Sequence, residues 1–414
     1  MWNDLTRSLR TPNYRRYFAG QLISLHGTQM ANVAQSWLVY SLTQSSFMLG
    51  LVNFTLLLPV LLFGLFGGVL ADHVSRRHLM IGSQGFAMVM AFLLAYLAIS
   101  GQVEVWHILV IVFFLGMAQA IDMPVRQSFL AELVSKDELS NAVGLNSGAF
   151  NMARFVGPAV AGVLLLSWSE GYLFALNGIS YFVLLFVLLT MRLPATSTGK
   201  IRGAGNLDAL KEGVSYAWNH VGIRAALVHV GAVSMMGTAF IVLMPVFADR
   251  QFGGGPEMLG LLLSSAGIGS VIGALNLARR TGDTSLSPVI ARSGVVAAIA
   301  LILFAQSGNI FQALLLGPQL LWLATPLLIV AGFSVTTVIA TTNAQIQVAV
   351  EDHLRGRVMS LFSVIFVGMA PIGSLAAGVL AEVVGIQMAV TMFAILGGGG
   401  SLRYWFGSSR AIAR

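Results

Sequence analysis

Met48-Leu49-Gly50-Leu51 recurs 210 residues later as Met258-Leu259-Gly260-Leu261, and Gly27-Thr28 recurs at the same offset as Gly237-Thr238. Ser147 and Pro158 then correspond to Ser360 and Pro371 at an offset of 213, a drift that three extra loop residues explain. A chain rich in Leu and Gly produces single matches by accident. A common register across several matches argues instead for two related halves, each about half the chain.

The solvent of those halves follows from composition. Of the 414 residues 57% are hydrophobic and 9% are charged, whereas soluble domains carry about 25% charged residues. Leu49 to Ala71, Leu79 to Ile99, Ile108 to Ile121 and Tyr172 to Met191 approach or reach the roughly 20 apolar residues that a bilayer-spanning helix needs. Counting such stretches predicts about twelve spans. They must be helical, because backbone polar groups in hydrocarbon have to be satisfied within their own segment. The short alternating strands of a membrane β-barrel are absent. Met1 to Arg16 is polar and basic and runs into an apolar segment too long for a signal peptide, so the reading is an uncleaved first span. With no cysteine, disulfides, thiolate catalysis and Cys-ligated metals are excluded.

The net charge of +7 points to topology rather than to nucleic acid. Basic residues collect at Arg7, Arg10, Arg15 and Arg16, at Arg76 and Arg77, at Lys136, from Arg192 to Lys211, at Arg279 and Arg280, at Arg355 and Arg357, and from Arg403 to Arg414. Each cluster is two spans from the next. The intervening loops carry Glu104, Glu170, Asp249, Arg250, Glu257 and Glu382. This is the positive-inside pattern with both termini cytoplasmic, and Trp37, Tyr40, Trp106, Trp168 and Tyr172 form an aromatic belt at the outer ends. The predicted organisation is a six-helix bundle over residues 1–193, a cytoplasmic linker over 194–221, and a second six-helix bundle over 222–414. Within the linker Leu207, Leu210, Val214, Ala217 and Trp218 recur at helical spacing. That pattern fits an amphipathic helix lying on the membrane surface or docked against protein. Two halves in the same orientation make a parallel repeat, an architecture of alternating-access transporters.

Gly64 and Gly68, Gly144 and Gly148, and Gly269 and Gly273 are each four apart on one helix face, where they would let backbones approach. Pro59, Pro158, Pro245, Pro326 and Pro371 fall within predicted spans and each removes a helix hydrogen bond. Gly157, Pro158 and Pro371 are the hinge candidates.

After the second span the chain reads Gly67-Gly68-Val69-Leu70-Ala71-Asp72-His73-Val74-Ser75-Arg76-Arg77, a carboxylate followed by paired basic residues. This resembles the loop signature of the major facilitator superfamily, departing from it at His73 and Ser75. The resemblance implies a gating loop in which Gly68, Asp72, Arg76 and Arg77 latch neighbouring helices. A plain turn obeying the positive-inside rule is the competing reading. Gly157-Pro158-Ala159-Val160-Ala161-Gly162 resembles the superfamily's exporter motif without its last glycine. Together with Asp122-Met123-Pro124-Val125-Arg126-Gln127 and Leu145-Asn146-Ser147, the chain is similar to the branch that holds the enterobactin exporter and the transmembrane secretion effectors. That branch implies export.

Ionisable groups at membrane depth are costly and so are functional candidates. Asp122 and Arg126, four apart on one helix face, either neutralise one another or act in coupling. Arg154 lies about 20 Å along its helix if that helix starts near Asn141. It has no acidic residue within a turn, so it requires a partner from another helix, water, or an anionic substrate. Burial disfavours a charged carboxylate and a nearby arginine favours it, so Asp122, captured by Arg126 and Arg154 in one state and released in another, would load and unload a proton. By the superfamily resemblance the first and fourth helices of each half line the cavity. Their polar residues Gln21, His26, Gln29 and Asn32, Gln119 and Asn151 nearby, and Thr337, Thr341 and Asn343 are therefore candidate substrate contacts. His26 and His229 fit a hydrogen-bonded structural histidine better than a second proton site.

Neither a metal cluster nor a nucleophilic triad is visible, and Gly397-Gly398-Gly399-Gly400 lacks the strand and lysine of a P-loop. The chain reads as a transporter without metal or cofactor, not an enzyme. It is expected to be a monomer of the cytoplasmic membrane, in contact with lipid, that exports a siderophore-like or drug-like solute in exchange for protons. The arginines favour cargo with acidic groups. Proton-coupled uptake and a non-transporting receptor or scaffold are the alternatives. The charged residues Asp122, Arg126 and Arg154 have no charged counterparts in the second half, where Val367 stands at the position of Arg154.

Overall fold

The computed structural model describes residues 6–191, 207–278, 286–313 and 324–412. The side chains of residues 65–69, 71–73, 207–211, 278, 311–313, 352–353 and 407–412 fall outside that description. A 3-10 turn, Arg7–Arg10, precedes α1 (Pro12–Thr43), α2 (Ser46–His73), α3 (Arg76–Ile99), α4 (Val105–Leu133), α5 (Lys136–Leu164) and α6 (Glu170–Thr190). Then come α7 (Leu207–Asn219), α8 (Val221–Val246) with a π-turn at Phe247–Gln251, α9 (Pro256–Ala278), α10 (Leu286–Ala305), α11 (Ser307–Ala313), α12 (Thr325–Ala349), α13 (Asp352–Val384) and α14 (Ile386–Ile412). No strand occurs among the described residues. Nine of the described helices are long and apolar enough to cross a membrane, which makes the chain a multi-pass membrane protein. Of similar length but more polar are α1, which carries Gln21, His26, Gln29, Asn32 and Gln35, and α5, which opens on Lys136-Asp137-Glu138.

Local chemistry sets the helix ends. Ser135 and Glu138 form a capping box at the start of α5, and Asp137 and Glu138 place negative charge on its positive end. Glu104 and His107 do the same for α4. Gly253, at φ +62°, turns the chain before Pro256 starts α9. Pro59, Pro124, Pro158, Pro245 and Pro371 are inside helices. Pro326 is not: it occupies the first turn of α12, where its missing N–H costs nothing. α5 begins at Lys136 rather than near Asn141, so Arg154 is about 27 Å along it.

The helices form two compact units, one of Met1–Leu42 and Thr55–Ala204, the other of Thr43–Phe54 and Gly205–Arg414. In the first, α3 packs on α4 and α6. Tyr14, Tyr17, Met80, Val125, Phe129 and Leu184 are buried in one apolar cluster there. In the second, α12 packs on α9 and α10, and α8 on α13 and α14. There the Glu382 carboxylate, in the last turn of α13, accepts hydrogen bonds from the backbone N–H groups of Ser46 (3.1 Å) and Phe47 (3.3 Å). It thereby caps the otherwise unsatisfied first turn of α2.

Close approach between helices is made at glycines whose missing side chain is filled by a neighbour's backbone. A Cβ at Gly116 of α4 would collide with the carbonyl oxygen of Leu56 on α2, and one at Gly332 of α12 would collide with that of Ala266 on α9. Leu56 and Ala266 are 210 residues apart and Gly116 and Gly332 are 216 apart, so the acceptor side of the contact keeps the register of the sequence repeat while the glycine side is displaced by six residues. The register also holds for a local bond: Thr28 donates to the Ser24 carbonyl and Thr238 to that of Ser234, both at 2.9 Å. Gly269 and Gly273 lie against the backbone of Ile329 and Phe333 on α12. Gly64, Gly144 and Gly148 have nothing near the position of a side chain, so their four-residue spacing marks no helix contact within the described residues; Gly68 lies outside them. Gly116→Ala and Gly332→Ala are expected to destabilise the protein by about 1–3 kcal/mol or more, through overpacking against backbone that cannot retreat. Gly144→Ala and Gly148→Ala should leave it unchanged or slightly more stable. Thermal unfolding of the four variants in detergent checks the contrast.

Candidate functional site

Asp122 stands on α4 one turn before Arg126, and helical geometry brings the two side chains onto one face. They form an ion pair. Asp122 is 6% exposed, and its other carboxylate oxygen accepts from Gln84 Nε2 at 2.8 Å and from Ser83 Oγ at 3.4 Å, both on α3. A buried carboxylate that meets three donors depends on all of them for its stability. Tyr17 and Tyr181 lie within electrostatic reach of the pair from α1 and α6. Tyr17 stacks edge-on against Phe129 with 5.6 Å between ring centroids, while Tyr181 Oη is 3.1 Å from Thr28 Oγ1.

Several buried polar atoms around this cluster have no hydrogen-bond partner among the described residues. They include Tyr17 Oη, both amide atoms of Gln21 one turn further along α1, Gln84 Oε1 and Arg126 Nε. Unsatisfied polar groups cost about 1–3 kcal/mol each when buried.

Arg154 is half-buried on α5 and makes no hydrogen bond or ion pair among the described residues. Asp122 is held by Arg126 alone of the two arginines. One turn beyond Arg154, a Cβ at Gly157 would collide with Gln29 Cβ, and the buried Pro158 follows. Asn32 is exposed, and its amide reaches Gln29 Oε1 at 3.5 Å. Two of the candidate contacts are turned inward on their own helices: His26 Nδ1 lies 2.7 Å from the Leu22 carbonyl and Asn151 donates to that of Ser147 at 2.9 Å. Gln119 is half-buried, three residues before Asp122. On α12, Thr337 back-bonds to Phe333 at 2.8 Å and Asn343 accepts from Gln347 at 2.6 Å. The hydroxyls of Thr341 and Thr342 are fully buried without partners. Pro371 is buried in α13.

The basic pair Arg76 and Arg77 makes two sets of contacts in the first unit. Arg76 donates to Glu132 of α4 at 2.8 Å and to the Ser128 carbonyl at 3.3 Å. Arg77 donates to the carbonyls of Leu188 (2.8 Å) and Leu189 (3.0 Å), the free C-terminal acceptors of α6. Gly68 and Asp72 lie outside the described residues.

The second unit holds a polar cluster of a different kind. His229 Nε2 is 2.8 Å from Ser401 Oγ and its ring stacks on Tyr404 at 5.2 Å. Tyr404 donates to Gln345 at 2.6 Å, and Gln345 donates to Ser287 at 3.0 Å. A side chain at Gly294 would occupy the His229–Ser401 contact. No carboxylate, lysine or arginine takes part among the described residues, His229 Nδ1 is left without a partner among them, and the network joins α8, α10, α12 and α14.

Residues 6–399 match the transmembrane secretion effectors of the major facilitator superfamily. The chain belongs to this family. The staphyloferrin A transporter of Staphylococcus aureus is 25% identical to this transporter over 382 residues, which cover 92% of each chain. Macrolide efflux protein A of Streptococcus pyogenes is 24% identical over 375 residues, 89% of each, and multidrug efflux pump Tap of Mycolicibacterium fortuitum 25% over 400, 92% of each. Among solved structures, a bacterial homolog of the human lysosomal transporter Spinster aligns with TM-score 0.74 at 13% identity over 97% of both chains. The nucleoside transporter NupG aligns with TM-score 0.71 at 14% identity, over 96% of this chain and 99% of its own. Both show the major facilitator fold. The protein is a membrane transporter and not an enzyme.

Ser83, Gln84, Tyr17 and Tyr181 were not foreseen from sequence. Ser83-Gln84 did carry a signal, as two polar residues in the middle of the apolar Leu79 to Ile99. Arg126→Gln is expected to destabilise the transporter by about 3–5 kcal/mol, because it strands the buried Asp122 charge. The double variant Asp122→Asn/Arg126→Gln should recover much of that loss. A double-mutant cycle by thermal unfolding in detergent measures the coupling, and strictly additive losses would deny the pair.

Proposed function

We propose that this transporter is a secondary active exporter of a small organic solute, siderophore-like or drug-like, and that it works by alternating access in exchange for protons. The observation that carries the coupling is Asp122, a carboxylate buried in an apolar unit and ringed by Ser83, Gln84 and Arg126. Protonation removes its charge, frees Arg126, and leaves the arginine to find another anion. A conformational change that separates the two side chains favours the protonated acid, and one that rejoins them expels the proton. Reciprocal linkage then ties proton binding to whichever conformation takes up cargo. Arg154, without an acidic partner among the described residues, is suited to meet an acidic group of the cargo.

The relatives, a staphyloferrin A transporter and macrolide and multidrug efflux proteins, support a small organic cargo, and the efflux proteins support export. Gln21, Gln29, Asn32, Gln119, Thr341 and Asn343 are the cargo contacts in this reading, and Gly157, Pro158 and Pro371 the hinges. Arg76 and Arg77 hold the gating end of α3. The protein works in the cytoplasmic membrane as a monomer, with both termini in the cytoplasm.

Reconstituted proteoliposomes with an imposed pH gradient test the proposal, with staphyloferrin A and erythromycin as probes. Wild-type protein is expected to drive at least one probe against its gradient. Asp122→Asn should abolish the response to pH yet retain exchange of labelled for unlabelled probe. Full pH-driven transport by Asp122→Asn sinks the assignment. Accumulation by intact cells rather than by everted vesicles would make the protein an importer.

A further inference from the structure

An apolar groove of about 490 Å³ opens in the second unit where α7 meets α8, α13 and α14. Its wall is built from Val214 and Trp218 of α7, Val228 and Met235 of α8, Met369 of α13 and Leu396 of α14. Trp218, Val228 and Leu396 are each close to half exposed or more, so the groove opens outward. The floor is lowered by Gly231, where a Cβ would press on Ile365 at 3.2 Å.

One charge stands on the rim. Arg224 lies with its guanidinium 5.7 Å from the centre of the Trp218 ring and donates one hydrogen bond, 3.1 Å, to the Trp218 carbonyl in the last turn of α7. A guanidinium has five N–H donors, and no acidic side chain meets this one among the described residues. The nearest acid of α7 in the chain, Glu212, is already paired with Arg357 of α13. From Arg224 to Met235 the groove follows α8 for eleven residues, about 16 Å of helix. That matches one leaflet, or half the roughly 30 Å hydrocarbon core. Tryptophan and arginine at one end with uninterrupted apolar wall beyond reproduce the order of a membrane interface: headgroup level first, acyl level after.

We propose that this groove is a built phospholipid site. One acyl chain lies along α8 between α13 and α14, and the phosphodiester rests on the free donors of Arg224 above the Trp218 ring. With no carboxylate meeting Arg224 among the described residues to receive an amine, the site prefers an anionic headgroup such as phosphatidylglycerol to a zwitterionic one. Occupancy joins the linker helix α7 to the bundle through lipid, in addition to its contact through Gly213 and Arg357. The lipid is thus a ligand of the linker rather than passive solvent.

Native mass spectrometry of the delipidated full-length transporter in detergent tests this by titration with phosphatidylglycerol or with phosphatidylcholine. The wild type is expected to hold one tightly bound phosphatidylglycerol. Arg224→Gln should bind it about tenfold more weakly, with the preference over phosphatidylcholine lost. Val228→Trp and Leu396→Trp, at outward positions that tolerate bulk, should block both lipids while their melting temperatures without lipid stay near that of the wild type. Unchanged affinities in all three variants would reduce the lipid to unspecific solvation and overturn the proposal. So would displacement of the bound lipid by erythromycin with blockage by Val228→Trp, which would make the groove a cargo site.

Discussion

Hydrocarbon solvates apolar side chains as well as a protein interior does, so burying them there contributes little, and whatever is polar must find its partner inside the protein. That constraint accounts for the helices, which satisfy their own backbones. It also accounts for the contacts between them, which bring the backbone of one helix against a glycine of the next, as Gly116 receives the Leu56 carbonyl and Gly332 that of Ala266. Finally it explains why the few charges in the spans are so placed. Asp122 is affordable only because Arg126, Gln84 and Ser83 converge on it from two helices.

The two units answer the constraint differently. In the second, His229, Ser401, Tyr404, Gln345 and Ser287 link four helices through side chains that include no carboxylate, lysine or arginine. In the first, the polar cluster contains a carboxylate and a guanidinium. Both keep buried polar atoms without a partner among the described residues, Tyr17 Oη, both amide atoms of Gln21 and Gln84 Oε1 in the first and His229 Nδ1 in the second. The two bundles therefore differ in charge rather than in how completely their polar groups are satisfied.

Much of this was legible in the chain. The register of 210 residues that links Met48 to Met258 also links Leu56 to Ala266 in the packing, although their glycine partners, Gly116 and Gly332, are 216 apart. Asp122 and Arg126 were readable because their partnership is local, four residues apart on one helix. Gln84 was not, since which face of α3 meets α4 depends on the whole bundle. For the same reason Gly269 and Gly273 met a neighbour while Gly144 and Gly148, with identical spacing, did not. Spacing fixes a face but not what the face meets. Pro326 looked like a kink because the apolar run alone hides where a helix begins.

The central claim is that Asp122 is the group that exchanges the proton. Infrared difference spectroscopy of the purified transporter across a pH titration reads this directly, without knowledge of the cargo. The account expects a protonated-carboxyl C=O band that appears as pH falls in the wild type and is missing from Asp122→Asn. A band that titrates identically in both proteins would place the proton elsewhere and contradict it.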